Sequence, residues 1–175
     1  VPIEFTVLGI DAGRVSGWAV THAGEHVVES GVARDLAGRI AAIGATRKVI
    51  AQYRAPLVVV AETWSAGGWR SHKALIGIGK AWGRWLETLE RDLGVREQHI
   101  VLAHERRWRH HLFDAAELKG KGSDELKRLS CTYAGVADHN QAEAICLAIF
   151  GQTSEQGLDA AEAAARRLLR AIRVT

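Results

Sequence analysis

The sequence predicts an α/β protein: a mixed five-stranded sheet, three antiparallel strands followed by parallel ones, flanked by helices. Three observations carry this. Three strand-like segments follow one another near the N-terminus, a helical period separates them from the continuous apolar run Leu57-Val58-Val59-Val60-Ala61, and nearly everything after residue 103 is helical in pattern.

Taken in order, residues 3–10 read as a buried strand that ends in the turn Asp11-Ala12-Gly13-Arg14-Val15-Ser16-Gly17. Trp18-Ala19-Val20-Thr21 and residues 26–32 supply the second and third strands, and short links between them imply an antiparallel meander. Residues 36–53 carry a helical period through Ile40, Ile43, Val49 and Ile50. Pro56 then introduces the apolar run, which reads as a parallel central strand because both of its faces are covered. A glycine-containing loop at 65–68 leads into a long helix ending near Leu93, and Ile100-Val101-Leu102-Ala103 is the last strand. Further helices are expected at 106–113, 123–134, 139–150 and 158–172, with breaks at Gly120, Gly122, Gly135 and Gly151.

The chain has 175 residues, a length suited to one domain spanning 1–175. A hydrophobic fraction of 47% and a charged fraction of 25% exclude disordered and fibrous classes. The net charge is only +3, so attraction to a polyanion must come from clustered basic groups. Cys131 and Cys146 form neither a disulfide framework nor a thiol metal site, which points to a reducing compartment. With no basic leader and no run of roughly 18 apolar residues, a cytoplasmic protein without membrane contact is expected.

Asp11 ends the first strand and Glu62 ends the central one; in α/β sheets, strand ends expose side chains on a rigid support. Each alone is equally well a turn former or a solvated residue. The third element is Asp138-His139-Asn140-Gln141-Ala142-Glu143, the start of a helix whose N-cap is expected to be Asp138. Glu143 is embedded among Ala142, Ala144, Ile145, Cys146, Leu147 and Ala148, so its carboxylate needs a partner. Asn140 and His139 lie three and four residues before it and can share its face. Convergence of Asp11, Glu62 and Glu143, with few bases nearby to neutralise them, calls for a cation, and oxygen donors favour Mg²⁺ or Mn²⁺ over Zn²⁺.

Leu8-Gly9-Ile10-Asp11-Ala12-Gly13 with Ser16-Gly17-Trp18-Ala19-Val20, Val58-Val59-Val60-Ala61-Glu62, and residues 138–148 together resemble the RNase H-like superfamily, and within it the RuvC-type Holliday-junction resolvases, including phage forms. The order and spacing of these motifs span almost the whole chain. The resemblance implies an RNase H-like nuclease fold, a homodimer, and Mg²⁺- or Mn²⁺-dependent cleavage of four-way DNA junctions by paired nicks. It carries the family's acids onto Asp11, Glu62 and Glu143, and its remaining acid onto Asn140. That amide departs from the pattern. Either Asp138 or His139 takes over the role, or the position carries an inactivating change, or the protein binds junctions without cutting them. His139 is alternatively a general acid or base, or an ordinary first-turn residue.

Candidate DNA contacts follow Glu62: Trp64, Trp69, Arg70, Lys73, Lys80 and Arg84 lie in a stretch free of acids until Glu87. Trp82 and Trp85 read as helix core. Arg106, Arg107 and Arg109 form a second basic group, and Lys119 and Lys121 flank a glycine in a loop that is equally well a solvated turn. The apolar breadth of the helix at 74–93 makes it the expected dimer contact, carried over from the resemblance. The C-terminal helix, with Arg166, Arg167, Arg170 and Arg173, reads as docked on the body. An actin-like or sugar-kinase-like ATPase shares the glycine-flanked Asp11 turn, but needs two lobes, for which the chain is too short.

Overall fold

The computed structural model describes residues 4–23, 26–63 and 72–172, without the side chains of 72–74 and 171–172. One sheet has the order β3-β2-β1-β4-β5, built from β1 (Thr6–Asp11), β2 (Ser16–His22), β3 (Val27–Ala33), β4 (Leu57–Thr63) and β5 (Ile100–His104). The first three strands pair antiparallel, and β4 and β5 run parallel to β1, as expected from sequence. Around them lie α1 (Leu36–Tyr53), α2 (His72–Leu93), α3 (Glu105–Leu112), α4 (Ala115–Leu118), α5 (Ser123–Ala134), α6 (His139–Thr153) and α7 (Glu155–Ile172).

The alternation of side chains along each strand divides the core into two layers. Leu8, Ile10, Val20, Val59 and Ala61 face α1 and α2, where Ala42, Ile43, Val49, Trp85 and Leu89 close the layer. Val7, Ala19, Val58 and Val60 face the opposite side, against α6 with Trp108 of α3 and Ala161 of α7. β4 is a continuous apolar run because both of its faces are covered. Trp85 is core as expected, and Trp82 packs at its edge.

The helices differ from expectation in places, and α7 starts at Glu155 rather than at 158. Gly151 does not break α6, which runs on to Thr153; a Cβ there would lie 2.6 Å from Val60 and 2.8 Å from Val7, so this glycine serves close packing rather than termination. The one-turn helix α4 was not expected, since four residues are too few to show a period. Among the described residues no helix is long and apolar enough to cross a membrane.

Candidate metal centre

The period of two in β1 puts Val7, Gly9 and Asp11 on one face, and in β4 it puts Val58, Val60 and Glu62 on the same side of the sheet. Ile10 pairs with Ala61 in parallel register, so Asp11 and Glu62 occupy the next rung, at the C-terminal ends of neighbouring strands. Over this face lies α6. A Cβ at Gly9 would collide with the Ala144 carbonyl oxygen and fall 2.6 Å from the Ala148 nitrogen, and a Cβ at Gly17 would overlap the Asn140 carbonyl. Gly17 is the partner of Asp11 across the β1–β2 ladder. The helix backbone therefore rests directly on the sheet, and its second turn carries Glu143 to the two strand ends. One ligand oxygen from each of Asp11, Glu62 and Glu143 lies within 4.8 Å of the others.

Glu62 and Glu143 are each only 8% exposed. Burial first, then the charges of Glu143 and Glu105, push the Glu62 carboxyl up from 4.5 to about 7, against the opposing pull of Arg109 and of a Trp108 hydrogen bond. Folding thus raises its proton affinity, and the unliganded protein should lose stability as pH rises from about 4.5 to about 7, by on the order of 3 kcal/mol. A divalent cation must displace that proton. Its apparent affinity is expected to climb about tenfold per pH unit below 7 and to level off above. Melting scans in EDTA at pH 5 and pH 8, beside Mn²⁺ titrations at the same values, measure both; a flat affinity profile would remove Glu62 from the site.

The sequence reading expected few bases near the acids, and here the structure corrects it. Arg109, expected to face DNA, is buried and points inward. Its Nη2 donates to Glu143 Oε1 at 2.6 Å, its Nε to Glu105 Oε1 at 3.1 Å, and its Nη1 to Ser130 Oγ at 2.9 Å. The guanidinium also lies 4.2 Å from the Trp108 ring centroid. The cause is its neighbour: Trp108 must fill the core, which turns the next residue of α3 towards α5 and α6. Trp108 in turn donates its indole N–H to Glu62 Oε2 at 3.4 Å.

The superposed solved structure of RuvC from Thermus thermophilus matches with a TM-score of 0.53, covering 83% of this chain and 92% of that one at 16% identity. No protein-family model and no curated protein matches the chain. The chain has a RuvC-like, RNase H-like fold.

Within this RuvC-like fold the acids open into a cavity of about 420 Å³, whose lining includes Arg14, Glu105, Arg109, Lys127, His139 and Asn140. His139 borders the cavity without joining the three-acid group, and Asn140 lines the same cavity. Asp138, a candidate ligand from sequence, caps α6 instead: its Oδ1 accepts from the Asn140 and Gln141 backbone N–H groups at 2.9 and 3.1 Å. A set of three converging carboxylates, one of them with its proton affinity raised by burial and then by its acidic neighbours, fits a hard divalent cation.

Lys80 and Arg84 are exposed on α2, as are Lys119 and Lys121 in the loop after α4. Arg106 and Arg107 are exposed on α3, beside a separate cavity that His104, His110 and His111 also line. Lys73 falls on α2 with its side chain outside the described residues, and Trp64, Trp69 and Arg70 lie wholly outside them. Sequence reasoning missed Glu105, Trp108 and Lys127. For Glu105 a signal existed: β5 pairs in parallel with β4 through Thr63 and His104, so the residue after His104 emerges beside the acids.

Proposed function

We propose that this protein is a structure-selective endonuclease that resolves four-way DNA junctions by paired symmetric nicks, working as a homodimer with Mg²⁺ or Mn²⁺. The observation that carries the reading is the meeting of Asp11, Glu62 and Glu143, from three separate elements, within 4.8 Å at the strand ends of a RuvC-like sheet. When bound, a divalent cation there supplies Lewis-acid activation of water and neutralises charge on a phosphodiester. Asp11 and Glu62 would hold it through carboxylate oxygens, and Glu143 through the oxygen that Arg109 leaves open. Trp108 fixes the Glu62 carboxylate by its N–H. Lys127 and Arg14, at the cavity wall, offer positive charge to an incoming phosphate, and Asn140 and His139 offer polar atoms at the same mouth. Lys80, Arg84, Lys119, Lys121, Arg106 and Arg107 are exposed cations available to flanking backbone, and Trp64, Trp69, Arg70 and Lys73 belong to the same proposed surface. The exposed Ile76 on α2, beside the half-buried Leu75 and Ile78, supports this helix as the dimer contact that sets two sites on one junction.

The deciding experiment incubates a labelled four-way junction and a matched linear duplex with Mg²⁺, Mn²⁺ or EDTA. Symmetric nicks confined to the junction and abolished by EDTA are expected; equal cutting of the duplex would reduce the reading to an unselective nuclease. Asn140 and the Arg109–Glu143 pair favour one second reading, a junction-binding protein that does not cut. Tight junction binding without nicks in Mn²⁺, unchanged by Asn140→Asp, would establish it.

A further inference from the structure

Consecutive residues of α3 grip two of the three acids: Trp108 holds Glu62 and Arg109 holds Glu143. The guanidinium is bound on every side. Its three nitrogens reach Glu105, Ser130, the Leu126 carbonyl and Glu143, and its plane packs on the Trp108 ring. Such a group has no freedom to swing out to a phosphate. It is a fixed positive charge inside the acid cluster, on an ion pair whose two side chains are 6% and 11% exposed.

Charge matching then limits what else the cluster accepts. The cavity is lined by four carboxylates, Asp11, Glu62, Glu105 and Glu143, against three cations, Arg14, Arg109 and Lys127, so a single divalent cation already turns its net charge from negative to positive. A second divalent cation would sit against the guanidinium in a buried setting and repel it strongly. It would also find the imidazole of His139 and the neutral amide of Asn140, not a further carboxylate, where the first turn of α6 borders the cavity.

We propose that Arg109 stands in for a second metal ion, so that each chain binds a single divalent cation, held by Asp11 and Glu62 with one oxygen of Glu143. The inference rests on the metal-dependent reading above and adds the number of ions and the residue that sets it. Arg109 acts through Glu143 and is a positioning residue.

The test is Mn²⁺ binding to the full chain without DNA, followed by electron paramagnetic resonance, with melting scans to verify folding. Wild type should saturate at one ion per chain. Arg109→Gln should admit a second ion and bind the first at least roughly tenfold more tightly, whereas Arg109→Lys should stay at one. Asn140→Asp adds a carboxylate at the cavity mouth while leaving the guanidinium in place, and should also stay at one. Two ions in wild type, or a second ion gained through Asn140→Asp alone, overturns the inference and leaves the metal site standing; both measurements hold even where Arg109→Gln fails to fold. No bound Mn²⁺ in wild type overturns the metal site itself, and the inference with it.

Discussion

Asp11→Asn is expected to lower metal-dependent cleavage of a four-way junction by about 10³-fold or more, with junction affinity close to that of the parent. The residue stands at the end of β1, in ladder register with Gly17 and one rung beyond the Ile10–Ala61 pair, so its backbone is placed by strand pairing. The amide keeps the shape and a neutral oxygen but loses the charge that attracts a cation. Its melting temperature in EDTA should stay within a few degrees of the parent, which separates lost chemistry from lost folding. Cleavage assays over a Mn²⁺ series measure the effect. A variant that nicks at the parental rate would take Asp11 out of the mechanism.

The second large effect concerns stability. Gly9→Ala places a methyl group against the Ala144 carbonyl and 2.6 Å from the Ala148 nitrogen, both backbone atoms of α6 that cannot turn aside as a side chain would. The helix must lift from the sheet, at a cost of about 3 kcal/mol or more, equivalent to a fall of roughly 6–12 °C in melting temperature for a chain of this size. Any molecules that remain folded carry Glu143 away from Asp11 and Glu62, so Mn²⁺ affinity should fall as well. Gly44→Ala is the matched control. It lies in α1 with open space where its Cβ would go, and should stabilise the protein by roughly 0.5–1 kcal/mol. Equal melting temperatures for the two variants would mean that α6 does not rest on the β1 backbone as described.

The acids were legible in the sequence because each sits where a pattern ends. Asp11 and Glu62 close apolar strands, and Glu143 interrupts an apolar helix, so each stands out from a hydrophobic background. The mixed sheet was legible from the three-strand meander followed by a doubly covered run, whereas the strand order came only with the structure. Arg109 was not. Its segment, Glu105-Arg106-Arg107-Trp108-Arg109-His110-His111, reads as a charged outer face, and only the placement of the Trp108 ring decides which arginine turns inward. Gly151 was misread for a related reason: a glycine that ends a helix and one that lets a helix approach a strand look alike in sequence, and distance to Val7 and Val60 tells them apart.

The placement of Glu143 on α6, far along the polypeptide from the strand that carries Asp11, bears on biosynthesis. Chains emerge from the ribosome N-terminus first, so β1 and β4 are both available before the helix that completes the cluster. A nascent chain halted before α6 holds two acids without the third and without the helix that rests directly on that face of the sheet. The three-acid cluster is thereby completed only once α6 has been made, and a chain truncated before α6 should bind Mn²⁺ more weakly than the parent.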